Sequence, residues 1–161
     1  PHGVKKEYYN GERTQLWSQW PYKDGKLHGE HKQWYTNGQL KYYKYYKDGK
    51  EDGEWKHWYA NQKIWEQGYY KEGETHGEHK SWYESGQLAS QSVYKDGKIH
   101  GEYKSWYWGH PDERPPQMYH MFYKDGKEHG EKKIWYENGQ LHVQEYYKDG
   151  KLDGESVLVP T

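Results

Sequence analysis

The chain predicts an all-β protein built from tandem antiparallel β-hairpins, and three observations carry that prediction. The element Tyr-Lys-Asp-Gly begins at Tyr22 and Tyr46, recurs as Tyr-Lys-Glu-Gly at Tyr70, and returns at Tyr94, Tyr123 and Tyr147. Its steps of 24, 24, 24, 29 and 24 residues mark a repeat array, in which each copy is one small unit stacked on its neighbours. Glycine-bearing turn signals also interrupt the chain too often for a helix of useful length, and no window sustains a 3.6-residue period. Finally, a composition only 31% hydrophobic and 30% charged would suggest disorder, were it not for 20 Tyr, 10 Trp and 1 Phe in 161 residues. Each such ring buries roughly 150–250 Å². Aliphatic residues are too scarce for a two-layer core. The expected architecture is therefore hairpins of about 24 residues in one elongated, twisted or trough-shaped single-layer sheet.

In chain order, residues 1–21 form a degenerate first copy. His2-Gly3 matches His28-Gly29, Tyr8-Tyr9 stands where later copies carry Trp-Tyr, Asn10-Gly11 marks its turn, and Trp17, Trp20 and Pro21 replace the usual strand. Terminal repeats are expected to be atypical because they cap the array. Residues 22–107 hold the regular copies. In the first of these, 30–35 and 39–46 are strands, 36–38 is the turn between them, and 47–50 is the turn into the next copy. Asn-Gly and Asp-Gly between aromatic-rich runs predict two-residue turns of type I′, whose central positions both need positive φ. That geometry places Tyr35 opposite Leu40, Trp34 opposite Lys41 and Tyr46 opposite Glu51. Composing the two pairings advances the chain by 22 residues, whereas the sequence repeats at 24. The surplus of two must be absorbed by a longer turn, a bulge or a steady stagger, and Gly29, Gly53, Gly77, Gly101, Gly130 and Gly154 are the natural place, since a strand glycine often marks a bulge.

Two places depart from the pattern. Gln62 replaces the turn glycine in Ala60-Asn61-Gln62-Lys63. Residues 108–116 run five longer than the equivalent turns, and Pro111, Pro115 and Pro116 exclude them from a central ladder, so they form an exposed loop. The copies resume over 117–155, and 156–161 adds a short apolar strand, Val157-Leu158-Val159, that caps the array or meets a partner. The whole chain, 1–161, is expected to be a single repeat domain.

Several function classes are disfavoured. A net charge of -1, with lysines alternating with glutamates, argues against nucleic acid. There is no cysteine, hence no disulfide or thiolate metal site. No apolar run approaches the roughly 20 residues of a membrane span, which leaves peripheral membrane contact open. The opening Pro1-His-Gly-Val-Lys-Lys lacks a secretory leader pattern, so a cytoplasmic or virion setting is expected. His-Gly-Glu-His at 28–31 and 76–79 puts its two imidazoles three apart on a strand, and thus on opposite faces. No nucleophile elbow, phosphate loop or dinucleotide fingerprint is present. The repeated glutamates have the charge balance of a solvated sheet face. The expectation is a non-enzyme with no catalytic residue, no metal and no cofactor.

The candidate binding residues are the aromatic columns Trp34, Trp58, Trp82, Trp106 and Trp135 with their neighbours Tyr35, Tyr59, Tyr83, Tyr107 and Tyr136. Rows of Trp and Tyr can grip a partner protein, stack on sugars or cage a quaternary ammonium; equally, they supply the burial that a thin sheet requires. The 108–116 loop adds Trp108, Asp112, Glu113 and Arg114 as the one asymmetric feature, since unique exposed loops carry specificity on repeat scaffolds.

The repeat, Gly-Glu-x-Lys-x-Trp-Tyr-x-Asn-Gly-Gln-Leu followed by Tyr-Tyr-Lys-Asp-Gly-Lys-x-His/Asp-Gly, resembles the MORN-repeat superfamily over about residues 2–155. It is most similar to the variant repeat of YwqK-type antitoxin-like bacterial proteins and of many giant-virus proteins. The resemblance implies successive antiparallel hairpins and non-enzymatic binding or scaffolding, with protein or lipid partners, and it carries over no catalytic residue. The expected function is a scaffold for protein–protein interaction or self-assembly, as in a viral structural component. Two alternatives stand beside it: an antitoxin-like protein that occludes a toxin, and an aromatic binder of carbohydrate, a choline-like ligand or a lipid headgroup. A small-molecule ligand is the less favoured of the partner classes.

Overall fold

Turn chemistry sets the architecture. In a computed structural model, residues 2–9, 14–109 and 116–159 are described. At the Tyr-Lys-Asp-Gly elements both central residues take positive φ, as in Asp24 (50°) and Gly25 (79°) or Asp48 (49°) and Gly49 (89°). Lys23 pairs with Lys26, and Lys47 with Lys50, across them. These are two-residue type I′ turns, whose twist matches that of the flanking strands.

The Asn-Gly turns differ from expectation. Gly38 has φ 83°, whereas Asn37 is not in the positive-φ region. The Gly38 N–H donates to the Tyr35 carbonyl at 2.9 Å, and the Tyr35 N–H to the Gln39 carbonyl at 2.8 Å. The loop thus has three residues and ends in a left-handed glycine, the next most common hairpin connection. The Asn37 Oδ1 accepts the Gln39 N–H at 3.0 Å, which holds that loop and explains the asparagine. Trp34 consequently faces Leu40 instead of Lys41, and a one-residue bulge at Lys41 restores the expected register from Gln33 and Tyr42 onward.

The chain forms two compact units, residues 1–75 and 76–161. The first contains β1 (Gly3–Tyr8), β2 (Leu16–Lys23), β3 (Lys26–Leu27), β4 (Gly29–Trp34), β5 (Leu40–Lys47), β6 (Lys50–Trp58), β7 (Ile64–Lys71) and β8 (Glu74–Thr75). Its strand order is β1-β2-β4-β5-β6-β7, with β3 on β2 and β8 on β7. The second contains β9 (Gly77–Trp82), β10 (Leu88–Lys95), β11 (Lys98–Trp106), β12 (Gln117–Lys124), β13 (Lys127–Trp135), β14 (Leu141–Lys148), β15 (Lys151–Leu152) and β16 (Val157–Leu158). Its order is β9-β10-β11-β12-β13-β14, with β15 and β16 both on β14. In each unit the strands pair antiparallel along this order and the last does not return to the first, so the layer is open.

The two-residue surplus falls at the strand glycines. Tyr46 pairs with Glu51 and Lys44 with Trp55, so 52–54 oppose Tyr45 alone. The same offset occurs at Gly101 and Gly130. Gly53 takes φ 113°, and a Cβ there would come within 3.5 Å of the Tyr45 Cβ. With this bulge Tyr42 pairs with His57 and His57 with Glu66, an advance of 24 residues, which places equivalent residues in line across the strands.

Candidate functional site

The constant residues of the repeat hold successive copies together. The Tyr9 hydroxyl donates to the Trp34 carbonyl at 2.8 Å, Tyr35 to Trp58 at 2.6 Å, Tyr83 to Trp106 at 2.8 Å and Tyr107 to Trp135 at 2.9 Å. Tyr136 repeats the clasp on Val159 at 3.5 Å. The turn glycines stack likewise, with Gly49 N–H on the Leu27 carbonyl and Gly126 N–H on that of Ile99, both at 2.8 Å. The His/Asp position before the bulge glycine is an acceptor for the following turn. His28 Nδ1 takes the Asp48 N–H at 3.4 Å and His100 Nδ1 the Asp125 N–H at 3.3 Å, while Asp52 takes the Glu72 N–H at 3.2 Å. His28 and His31 accordingly serve different partners, and no group of three or more His, Asp or Glu gathers as a metal site among the described residues.

One face of each unit repeats with the frame. Lys32–Glu30, Lys56–Glu54, Lys80–Glu78, Lys104–Glu102 and Lys133–Glu131 form the same ion pair at 2.5–2.9 Å. By strand alternation the Trp column falls on this side, and all five of its members are half-buried.

The opposite face is where the copies differ. The cross-strand partners at its centre are His31 with Lys44, Trp55 with Gly68, His79 with Ser92, Tyr103 with Met121, and Lys132 with Glu145. Each is a separate packing or charge solution on one backbone. His31 is buried, stacks on Trp20 at 3.6 Å and lies 3.3 Å from the Ser18 hydroxyl. Burial, then the Lys44 charge, push its pKa down to about 4. The Trp55 indole occupies the space that Gly68 leaves open. Burial opposes the charge of Lys44, but hydrogen bonds to Glu51 and Tyr42 outweigh it and raise the pKa, and the ammonium lies over the Tyr42 and Tyr70 rings at 5.3 and 4.9 Å.

In the second unit this variable face contains an open recess of about 530 Å³, lined by Tyr103, Ser105, Tyr107, Met118, Tyr119, Tyr123 and Ile134. Ser105, Tyr119 and Ile134 are successive cross-strand neighbours on β11, β12 and β13 and form its floor. Tyr103 and Tyr119 meet edge to face at 5.6 Å. Ser105 is 4% exposed, and its hydroxyl has no hydrogen-bond partner among the described residues. Burial, then Tyr123, raise the Tyr119 pKa well above the ordinary phenol range, so its hydroxyl stays a proton donor.

Of the residues singled out from sequence, only Tyr107 lines this recess. Trp34, Tyr35, Trp58, Tyr83, Trp106, Trp135 and Tyr136 take part in the clasps through hydroxyl or carbonyl, and Tyr59 and Trp82 are half-buried at the equivalent positions. Trp108 is 68% exposed. Asp112, Glu113, Arg114 and the Asn10-Gly11 turn lie outside the described residues. The missed residues, Tyr103, Ser105, Met118, Tyr119, Tyr123 and Ile134, carry a signal of a different kind: all but Tyr123 stand at positions where the copies disagree.

The model of one protein family, described as the MORN repeat variant, matches residues 27–48, 51–72, 75–96 and 128–149, together more than half of the chain. No curated protein matches. MORN repeats are in general non-catalytic repeat modules that bind proteins or membranes. Four matches in register with the hairpins place the clasps, stacked turns and bulge glycines on the same repeating unit, and the chain belongs to the MORN repeat variant family.

Proposed function

We propose that the chain is a non-catalytic scaffold that docks a protein partner on the variable face of its hairpins. The observation that carries this reading is the division of labour between the faces. Turns and clasps join copy to copy and a Glu–Lys pair recurs within each copy on one face, while the central cross-strand pair of the opposite face differs from copy to copy and that face opens into an aromatic recess in the second unit. A surface needed only for cohesion has no reason to vary in this way. Aromatic side chains with polar tips are also the residues that dominate protein interfaces.

The test is capture from the native source by the immobilised chain, identification by mass spectrometry, and reassembly with the purified partner. Loss of binding in Tyr103→Ala and Tyr119→Ala variants that keep their far-ultraviolet circular dichroism supports the proposal. Binding that survives both, but is lost when Glu102 and Lys104 exchange charges, moves the interface to the constant face and overturns it. A single partner at one-to-one stoichiometry identifies the docking as antitoxin-like occlusion; copies of the chain in a larger particle identify it as assembly.

A further inference from the structure

The geometry points to the recess between β11, β12 and β13 as a site for a proline-bearing segment of the partner in the polyproline II conformation. This rests on the docking role proposed above and names the chemistry of what docks.

Three observations lead there. The recess lies on a sheet face whose floor strands are hydrogen-bonded on both sides, β11 to β12 and β12 to β13. An occupant therefore cannot add as a strand and must bind through side chains and its own unpaired backbone groups. The polar groups of the lining are single hydroxyls, from Ser105 and the tyrosines, with no carboxylate, amide or cation among them. The Tyr107 phenol is committed to the Trp135 carbonyl, while the Ser105 hydroxyl is buried, has no partner among the described residues and belongs to the lining. Such a lining offers a few hydroxyls on an apolar, ringed surface and no charge. A polyproline II chain is its complement: prolines present flat apolar faces and no N–H, and every carbonyl is left free to accept a hydrogen bond. The edge-to-face arrangement of Tyr103 and Tyr119, at 71° between planes, gives a stepped surface for successive rings and not the closed box of an aromatic cage. Sugars, with paired hydroxyls on each ring, are served by bidentate amides and carboxylates, which this lining lacks.

The experiment is isothermal titration calorimetry of the whole chain with a proline-rich peptide of about ten residues, and with an alanine–serine peptide of equal length. The expected result is saturable binding of the proline peptide alone. Ser105→Ala and Tyr103→Phe should each weaken it by about three- to tenfold, the loss of one hydrogen bond. Ser105→Ala removes an unpaired hydroxyl and so leaves folding intact. Equal binding of both peptides, no saturable binding, or binding indifferent to both variants overturns the inference. So does preferential displacement by maltohexaose, which would make the recess a sugar site. A captured partner that still binds the Ser105→Ala and Tyr103→Phe variants at full strength removes this inference and leaves the docking proposal standing, whereas loss of all partner capture by the unaltered chain removes the docking proposal itself.

Discussion

Gly68→Ala tests whether the variable face is packed pair by pair. A Cβ at residue 68 would lie 2.9 Å from Cε2, Cζ2 and Nε1 of Trp55, against an optimum of roughly 3.5–4.0 Å between carbons. Trp55 is 7% exposed and is flanked by the rings of His57 at 5.3 Å and Tyr70 at 6.0 Å, so the indole cannot retreat without cost. Overpacking of this kind costs about 1–3 kcal/mol. Residue 68 has no positive φ, so alanine adopts the strand backbone and recovers about 0.5–1 kcal/mol relative to glycine. The net prediction is destabilisation by about 1–2 kcal/mol. Trp55→His places at this position the residue found at His31 and vacates the space, and on that background Gly68→Ala should be neutral or stabilising. Urea unfolding followed by circular dichroism completes the cycle, with an expected coupling of about 2 kcal/mol. Effects additive within about 0.5 kcal/mol would refute the reasoning, because they would show that the two positions do not share one space.

Further outcomes follow from the same structure. His31 is neutral in the fold, with its pKa lowered from 6.5 to about 4, so its contribution is present above 6.5 and is lost as pH falls from 6.5 through 4. Discounted for solvent reaching Lys44 and Glu7, which act on the same ring, the loss amounts to about 1–2 kcal/mol and should vanish in His31→Asn, as denaturant midpoints against pH would show. Tyr83→Phe removes the clasp on the Trp106 carbonyl and should cost about 1–2 kcal/mol, while Tyr69→Phe, on an exposed ring, should stay within about 0.5 kcal/mol in the same melts. Gln62 has φ 68° where the other copies carry glycine, so Gln62→Gly should stabilise by about 0.5–1 kcal/mol and raise the melting temperature.

The hairpin array was legible because its causes are local. Asp24-Gly25 and its equivalents suit a type I′ turn because both residues tolerate positive φ, and the mismatch between 22 and 24 demands a surplus for which the strand glycines, Gly53 among them, are the natural place. At Asn37-Gly38 the turn lies over 36–38 as expected, but the pairing of a two-residue loop fails by one residue, because Asn-Gly also suits a three-residue loop, in which only Gly38 is left-handed and Asn37 uses its side chain instead. The site was less legible, for a reason that runs against intuition. The constant Trp34 and Tyr35 drew attention because they recur, and they recur because Tyr35 must reach the Trp58 carbonyl in every copy. Tyr103 has no counterpart among the copies, whereas Ser105 repeats Ser81 and Tyr119 repeats Tyr42, and only the cross-strand register reveals that Ser105 and Tyr119 share a floor. The burial of the Ser105 hydroxyl without a partner depends on the rings around it, a tertiary property that no spacing encodes.

The most direct test of the division between frame and docking face is the affinity of the captured partner for two matched variants, Tyr119→Ala on the variable face and a Glu102–Lys104 charge exchange on the constant face. At least a tenfold loss is expected for Tyr119→Ala, and a change below about twofold for the exchange, which preserves an ion pair worth little at the surface. Full affinity in Tyr119→Ala together with loss in the charge exchange would contradict it.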